Sequence, residues 1–93
     1  MKTKTHFRKY PDGQILALMP EIPADNRGLY CQSYMILGEH GPACPEQPAT
    51  VPASPSEYRA TLAVLTARGY DVAPVQRITA AMHAKRRALA QPL

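Results

Sequence analysis

The sequence predicts an α+β fold: a three-stranded antiparallel meander, a helix packed on one face, a fourth edge strand and an optional C-terminal helix, in the order β-β-β-α-β-α. Three observations carry this reading. Pro11-Asp12-Gly13 separates two strand-like runs. Pro presets the first central turn position, Asp bonds its own backbone and Gly accepts positive φ, so residues 5–19 read as a hairpin. Ser54-Pro55-Ser56-Glu57 then opens a run with apolar residues at helical spacing. Three strand-like runs precede that helix, which favours a mainly antiparallel sheet covered on one side.

The first strand covers Thr5 to Tyr10, with Phe7 as its inward anchor. Side chains alternate faces along a strand, so Thr5, Phe7 and Lys9 share one side. Gln14 to Met19 is apolar on both faces, which suits a central strand packed on both sides or a contact with a second copy. Pro20 ends it, and residues 23–28 form a loop rich in turn formers. The third strand, Leu29 to Leu37, places Leu29, Cys31, Ser33, Met35 and Leu37 on one face and Tyr30, Gln32, Tyr34 and Ile36 on the other. The odd-numbered face is the expected core face.

Five of the ten prolines fall between Pro42 and Pro55. That density predicts an extended connection, partly polyproline II, with neither strand nor helix. Ser54 caps the helix, Pro55 is its first residue and Glu57 reaches back to the Ser54 amide. Tyr58, Thr61, Leu62 and Leu65 form its buried stripe, and Gly69 ends it in the left-handed region. Tyr70 to Ile78 reads as a fourth strand, kept to an edge by Pro74. Thr79 caps a short helix over Ala80 to Leu89, whose thin stripe has Met82 and Leu89 as its main members. Residues 79–93 form a basic tail.

Ninety-three residues make one small domain, 1–93. A chain of this size buries only roughly 60–65% of its unfolded surface. With no Trp and one Phe the core is thin, and a second copy or a bound partner would cover what remains. No run reaches the ~18 apolar residues that span a bilayer, and the basic N-terminus does not lead into an apolar signal segment. A cytoplasmic location follows, with Cys31 and Cys44 as reduced thiols.

Charge divides the chain. The net charge is +4, yet residues 11–76 carry all seven acids and only three arginines. Both ends are therefore basic. Arg8, Lys9, Arg77, Lys85, Arg86 and Arg87 are the candidate contacts for nucleic acid or another acidic partner. Tyr10, Tyr30 and Tyr34 would stack on single-stranded bases if their face were open. Packing of Tyr30 and Tyr34 under a helix or a partner is the preferred reading, because no aromatic-rich run accompanies them.

Cys31, His40 and Cys44, with His6 as a fourth, are metal-compatible, but a structural zinc site needs close ligand pairs that this spacing lacks. Cys44 with His40 as base would make a thiol nucleophile, and no third orienting group accompanies them. No phosphate-binding Gly loop, paired carboxylates or H-E-x-x-H helix occurs. The sequence therefore implies no cofactor. Pro42, Pro45 and Pro48 have polyproline-recognition spacing, which an extended connection explains equally well.

Three pieces together resemble a family: Phe7-Arg8-Lys9-Tyr10-Pro11-Asp12-Gly13 with the strand after it, Tyr30-Cys31-Gln32-Ser33-Tyr34 leading to Gly38-Glu39-His40-Gly41, and Pro52 to Tyr58. The set is similar to small uncharacterised proteins of bacteria, phages and mobile elements, a domain of unknown function. The resemblance covers residues 6–78 and implies neither an activity nor catalytic residues. The Pro-rich spacing and the tail beyond Ile78 depart from it. The expected function is a non-enzymatic binding or interaction module. Protein contact or self-association through Ile15, Met19, Tyr30 and Tyr34 leads, nucleic-acid binding through the basic ends is the alternative, and a thiol-dependent enzyme or metal site comes third.

Overall fold

A computed structural model describes residues 2–90. These form β1 (Thr3–Lys9), β2 (Ile15–Pro23), β3 (Cys31–Met35), β4 (Glu39–Ala43), β5 (Val51–Pro52), α1 (Pro55–Ala67), β6 (Val72–Pro74) and α2 (Ala80–Leu89). The class is α+β, as the sequence predicts. The Pro-Asp-Gly bend closes as expected: Gly13 N–H donates to Tyr10 O at 2.9 Å and Tyr10 N–H to Gln14 O at 2.9 Å. Asp12 Oδ1 accepts from the Gln14 amide at 3.1 Å, and Gly13 takes φ +89°. The resulting register pairs Phe7 with Ala17 and Lys9 with Ile15.

The sheet runs β4-β3-β2-β1, and two short strands share the outer edge of β1. β5 pairs antiparallel with Arg8 and Lys9, and β6 pairs parallel with Thr3 to Thr5. Strands β4 and β5 correct the expectation that the prolines of 42–55 exclude strand. Both lie on edges, where a residue without an N–H need not break a ladder on its open side. Pro42 sits in β4, Pro52 in β5 and Pro74 in β6, so each peripheral strand carries one. The third strand is shorter than 29–37, because residues 36–38 turn into β4. Pro20 does not end β2: the strand continues through an irregularity between Met19 and Pro23.

Both faces of β2 are covered by the chain's own helices. On one, Phe7, Ala17, Met19 and Tyr34 pack with Leu65 of α1, and Tyr58 stacks on Phe7 at 4.1 Å between ring centroids. On the other, Leu16, Leu18 and Cys31 form a second cluster. α2 lies over that side, where Arg86 bonds Pro20 O at 2.8 Å. The third strand therefore has two core faces rather than the odd-numbered one alone: Cys31 and Ser33 are buried on one side, Tyr34 on the other.

Ser54, Pro55 and Glu57 start α1 as read from the sequence. Glu57 Oε1 accepts from the Ser54 amide at 2.9 Å, and the Ser54 hydroxyl meets Ser56 Oγ at 3.2 Å. Gly69 follows the helix at φ +97°. Thr79 caps α2, its hydroxyl accepting from Met82 N–H at 3.3 Å. The buried residues of α2 are Met82 and Arg86, followed by Ala90 at its C-cap, while Leu89 is exposed. The last three residues of the expected basic tail lie outside the described residues. No described helix is long and apolar enough to cross a membrane.

Candidate anion-binding groove

The basic residues have three different fates. Lys9 pairs with Glu57, Lys85 with Glu21 at 3.4 Å and Lys4 with the same Glu21 at 3.6 Å. Arg86, expected to be a solvent-facing contact, is instead buried at 1% exposure. Arg8 is half-buried, and Arg77 and Arg87 are exposed. These last three have no carboxylate partner among the described residues. They gather along one side of the sheet, where the 44–50 loop runs beside α2.

Arg8 is held in place by several hydrogen bonds. Its Nε donates to Thr50 Oγ1 at 2.5 Å and its Nη2 to Thr50 O at 2.7 Å. Thr50 is fixed in turn, because its hydroxyl donates to Gln47 O at 2.8 Å. His6 Nδ1 lies 3.1 Å from Val75 O and so carries the proton there. His6 Nε2 then accepts from Arg8 Nη1 at 3.2 Å, which makes His6 neutral in this arrangement. Three of the five N–H groups of Arg8 are thus committed, all to uncharged acceptors, and two remain. A guanidinium held by neutral acceptors, with donors unspent and no ion pair of its own, keeps the capacity to bond an anion.

Arg8 opens into a cavity of about 420 Å³ whose other polar walls include His6, Glu46, Gln76, Arg77 and His83. That size suits a small ligand or one group of a larger one. A second cavity, about 250 Å³, adjoins it and is lined by Leu29, Cys44, Glu46, His83, Arg86 and Arg87. The two share Pro45, Glu46 and His83, so they form one groove. Burial holds the His83 pKa below its ordinary value, and the charges of Arg86 and Arg87 add to this while Glu46 opposes it.

The other expected site residues are not brought together. Cys31 is buried and Cys44 exposed. His40 lies on β4 and is engaged by Ser33 O at 3.2 Å and the Tyr70 hydroxyl at 3.0 Å. Cys44 shares its cavity with His83 instead. No three metal-compatible side chains group among the described residues. Met19 and Tyr34, expected on an interaction surface, are 1% exposed inside the α1 core. Ile15 is half-buried beside that core, and Tyr30 alone of the four is open, at 48%.

Sequence reading missed His83, Glu46 and Thr50. One signal for His83 was available: it precedes Arg86 and Arg87 by three and four residues, and that spacing puts all three on one side of a helix. Nothing local marks Thr50, because its role depends on Arg8, 42 residues away. Set against protein-family models, curated proteins and solved structures, the chain matches none.

Proposed function

We propose that this protein is a non-enzymatic binding module and that its ligand is an anion held in the groove between the 44–50 loop and α2. The observation that carries the reading is Arg8: a half-buried guanidinium held by Thr50 and His6, facing the same cavity as Arg77. Neutral acceptors orient it without cancelling its charge. Coulombic attraction at such a partly desolvated site exceeds that at a water-exposed lysine.

Self-association through the two-sided strand loses its motive, since both faces of β2 are covered internally. The nucleic-acid reading narrows from six basic residues to Arg8, Arg77 and Arg87, since Lys9 and Lys85 pair with acids and Arg86 is buried. It becomes one possible source of the anion rather than a separate site.

Titration of the isotope-labelled protein with inorganic phosphate, followed by amide NMR, tests the proposal. Shifts are expected to concentrate on His6, Arg8, residues 45–50, Arg77 and His83. Arg77→Ala is expected to weaken binding by about tenfold, the loss of one charged hydrogen bond of roughly 1.5 kcal/mol. Shifts scattered over the surface, or binding indifferent to Arg77→Ala, would overturn it.

A further inference from the structure

Glu46 is the one acidic residue that lines the groove, and it lines both cavities. The other acidic side chains are engaged elsewhere. Asp12 and Asp25 accept from backbone amides. Glu21, Glu39 and Glu57 pair with lysine or arginine, and Asp71 pairs with Lys2. Among the described residues Glu46 forms no ion pair, although it shares the larger cavity with Arg8. The bonds of Arg8 go to Thr50 and His6 instead. The charge of Glu46 is nevertheless felt inside the groove, since it opposes the downward shift of the His83 pKa.

One loop supports both charges. Gln47 Nε2 donates to Cys44 O at 2.8 Å and Thr50 N–H to Gln47 O at 3.0 Å, so the backbone on either side of Glu46 is braced. Thr50 in turn holds Arg8. The Glu46 side chain is exposed and free to swing toward a ligand seated on Arg8. A guanidinium and a carboxylate that open into one cavity without meeting are matched by a ligand that carries both charges. A carboxylate accepts from the two N–H groups that Arg8 has left. A phosphate monoester, at roughly −1.5 to −2 near neutral pH, is repelled by Glu46 more than a carboxylate is. An ammonium has three donors and no acceptor, which suits Glu46. Pro45, Pro48 and Ile78 give the same cavity an apolar wall, suited to a short hydrocarbon between the two charged groups.

We infer that the groove binds a small aminocarboxylate, with its carboxylate on Arg8 and its ammonium on Glu46. The inference rests on the anion-binding reading above and says what the anionic group is attached to. Arg8 supplies the fixed point, and Glu46 supplies the preference for a molecule that is cationic at its other end. Because Glu46 is exposed, its share is that of an ion pair near solvent, a gain in affinity of about fivefold at most.

Amide NMR titration of the full chain at pH 7 with three matched pairs tests it: acetate and glycine, propionate and β-alanine, butyrate and γ-aminobutyrate. Each pair differs by one ammonium. At least one amino member is expected to bind more tightly than its plain counterpart, by about three- to fivefold, and the pair that shows the gain reports the spacing between Arg8 and Glu46. Glu46→Gln alters an exposed side chain, so the fold is retained. It is expected to abolish the gain while the plain carboxylates bind at least as well as before. Equal affinity within all three pairs, a gain that survives Glu46→Gln, or inorganic phosphate bound more tightly than every amino member would overturn the aminocarboxylate inference while leaving anion binding intact. Failure of phosphate and of every carboxylate to bind would defeat the reading beneath it as well.

Discussion

Arg86 joins three distant pieces of chain: α2, the irregular end of β2 at Pro20, and the 24–30 loop at Gly28. Replacing it with Met keeps much of the apolar stem but leaves two buried carbonyls without donors. Each such loss costs about 1–3 kcal/mol, so Arg86→Met is expected to destabilise by about 3 kcal/mol in denaturant unfolding. A change below ~1 kcal/mol would show that water satisfies those carbonyls. Gly28 belongs to the same junction. It takes φ +70°, and a Cβ there would lie 2.8 Å from the Arg87 Cα. Gly13 takes φ +89° with nothing within 4 Å of such a Cβ. Gly13→Ala therefore bears only the left-handed backbone cost of about 1–2 kcal/mol, and Gly28→Ala bears that plus displacement of α2. Equal losses of melting temperature in the two variants would contradict this packing. Neither role of residue 28 nor that of residue 86 is legible locally. A basic residue in a basic tail reads as surface, and only the carbonyls brought from 58 and 66 positions away make it a buried clamp.

At the scale of elements, proline placement explains where sequence reading succeeded and where it stopped. Pro55 at the start of α1 and Pro74 in an edge strand follow from local stereochemistry. Pro42 and Pro52 in strands do not, because being tolerated at an edge depends on knowing which strands lie there. Their positions also limit pairing with other chains, since an exposed edge is a template for association and proline interrupts it. Pro42→Thr is expected to restore a continuous edge on β4 and to raise self-association, measured as a concentration-dependent sedimentation coefficient. A variant that stays monomeric at millimolar concentration would show that β4 is guarded by something else. The α1 cap gives a second test. The bond to Lys9 and the Ser54 amide hold the Glu57 pKa down at about 2. The unfolded carboxylate takes up its proton near 4.5 and the folded one only near 2, so this contribution is present above pH 4.5 and lost as pH falls through 2. Glu57→Gln is expected to flatten that part of the acid unfolding curve.

The whole molecule is a sheet with a helix on each face, and its pH response reports that burial. His83 binds its proton less readily folded than unfolded, so stability is expected to fall as pH drops below 6.5. Burial pushes the Cys31 thiol from 9.0 up to about 11, against the pull of Arg86. The unfolded thiol ionises first, and stability is expected to fall again as pH rises from 9 toward 11. In the native state at pH 8, thiol reagents are expected to modify exposed Cys44 promptly and to spare Cys31. Rapid labelling of both would mean that the β3–α2 side opens readily.

What the sequence determined by itself is local in origin. Pro11-Asp12-Gly13 fixes its hairpin through dihedral preference, Ser54 to Glu57 starts its helix through capping, and Gly69 ends that helix through access to positive φ. The apolar run of β2 likewise announces burial on both sides. Tertiary structure alone decided that the covering layers are α1 and α2 rather than a second copy. It also decided that three prolines line the edges, and that residues near positions 6–8, 44–50, 76–77 and 83–87 meet in one groove. Local rules act over a few bonds through sterics and neighbouring hydrogen bonds. A groove exists only where separate segments converge, and its charges have meaning only once it is known which acids lie out of reach.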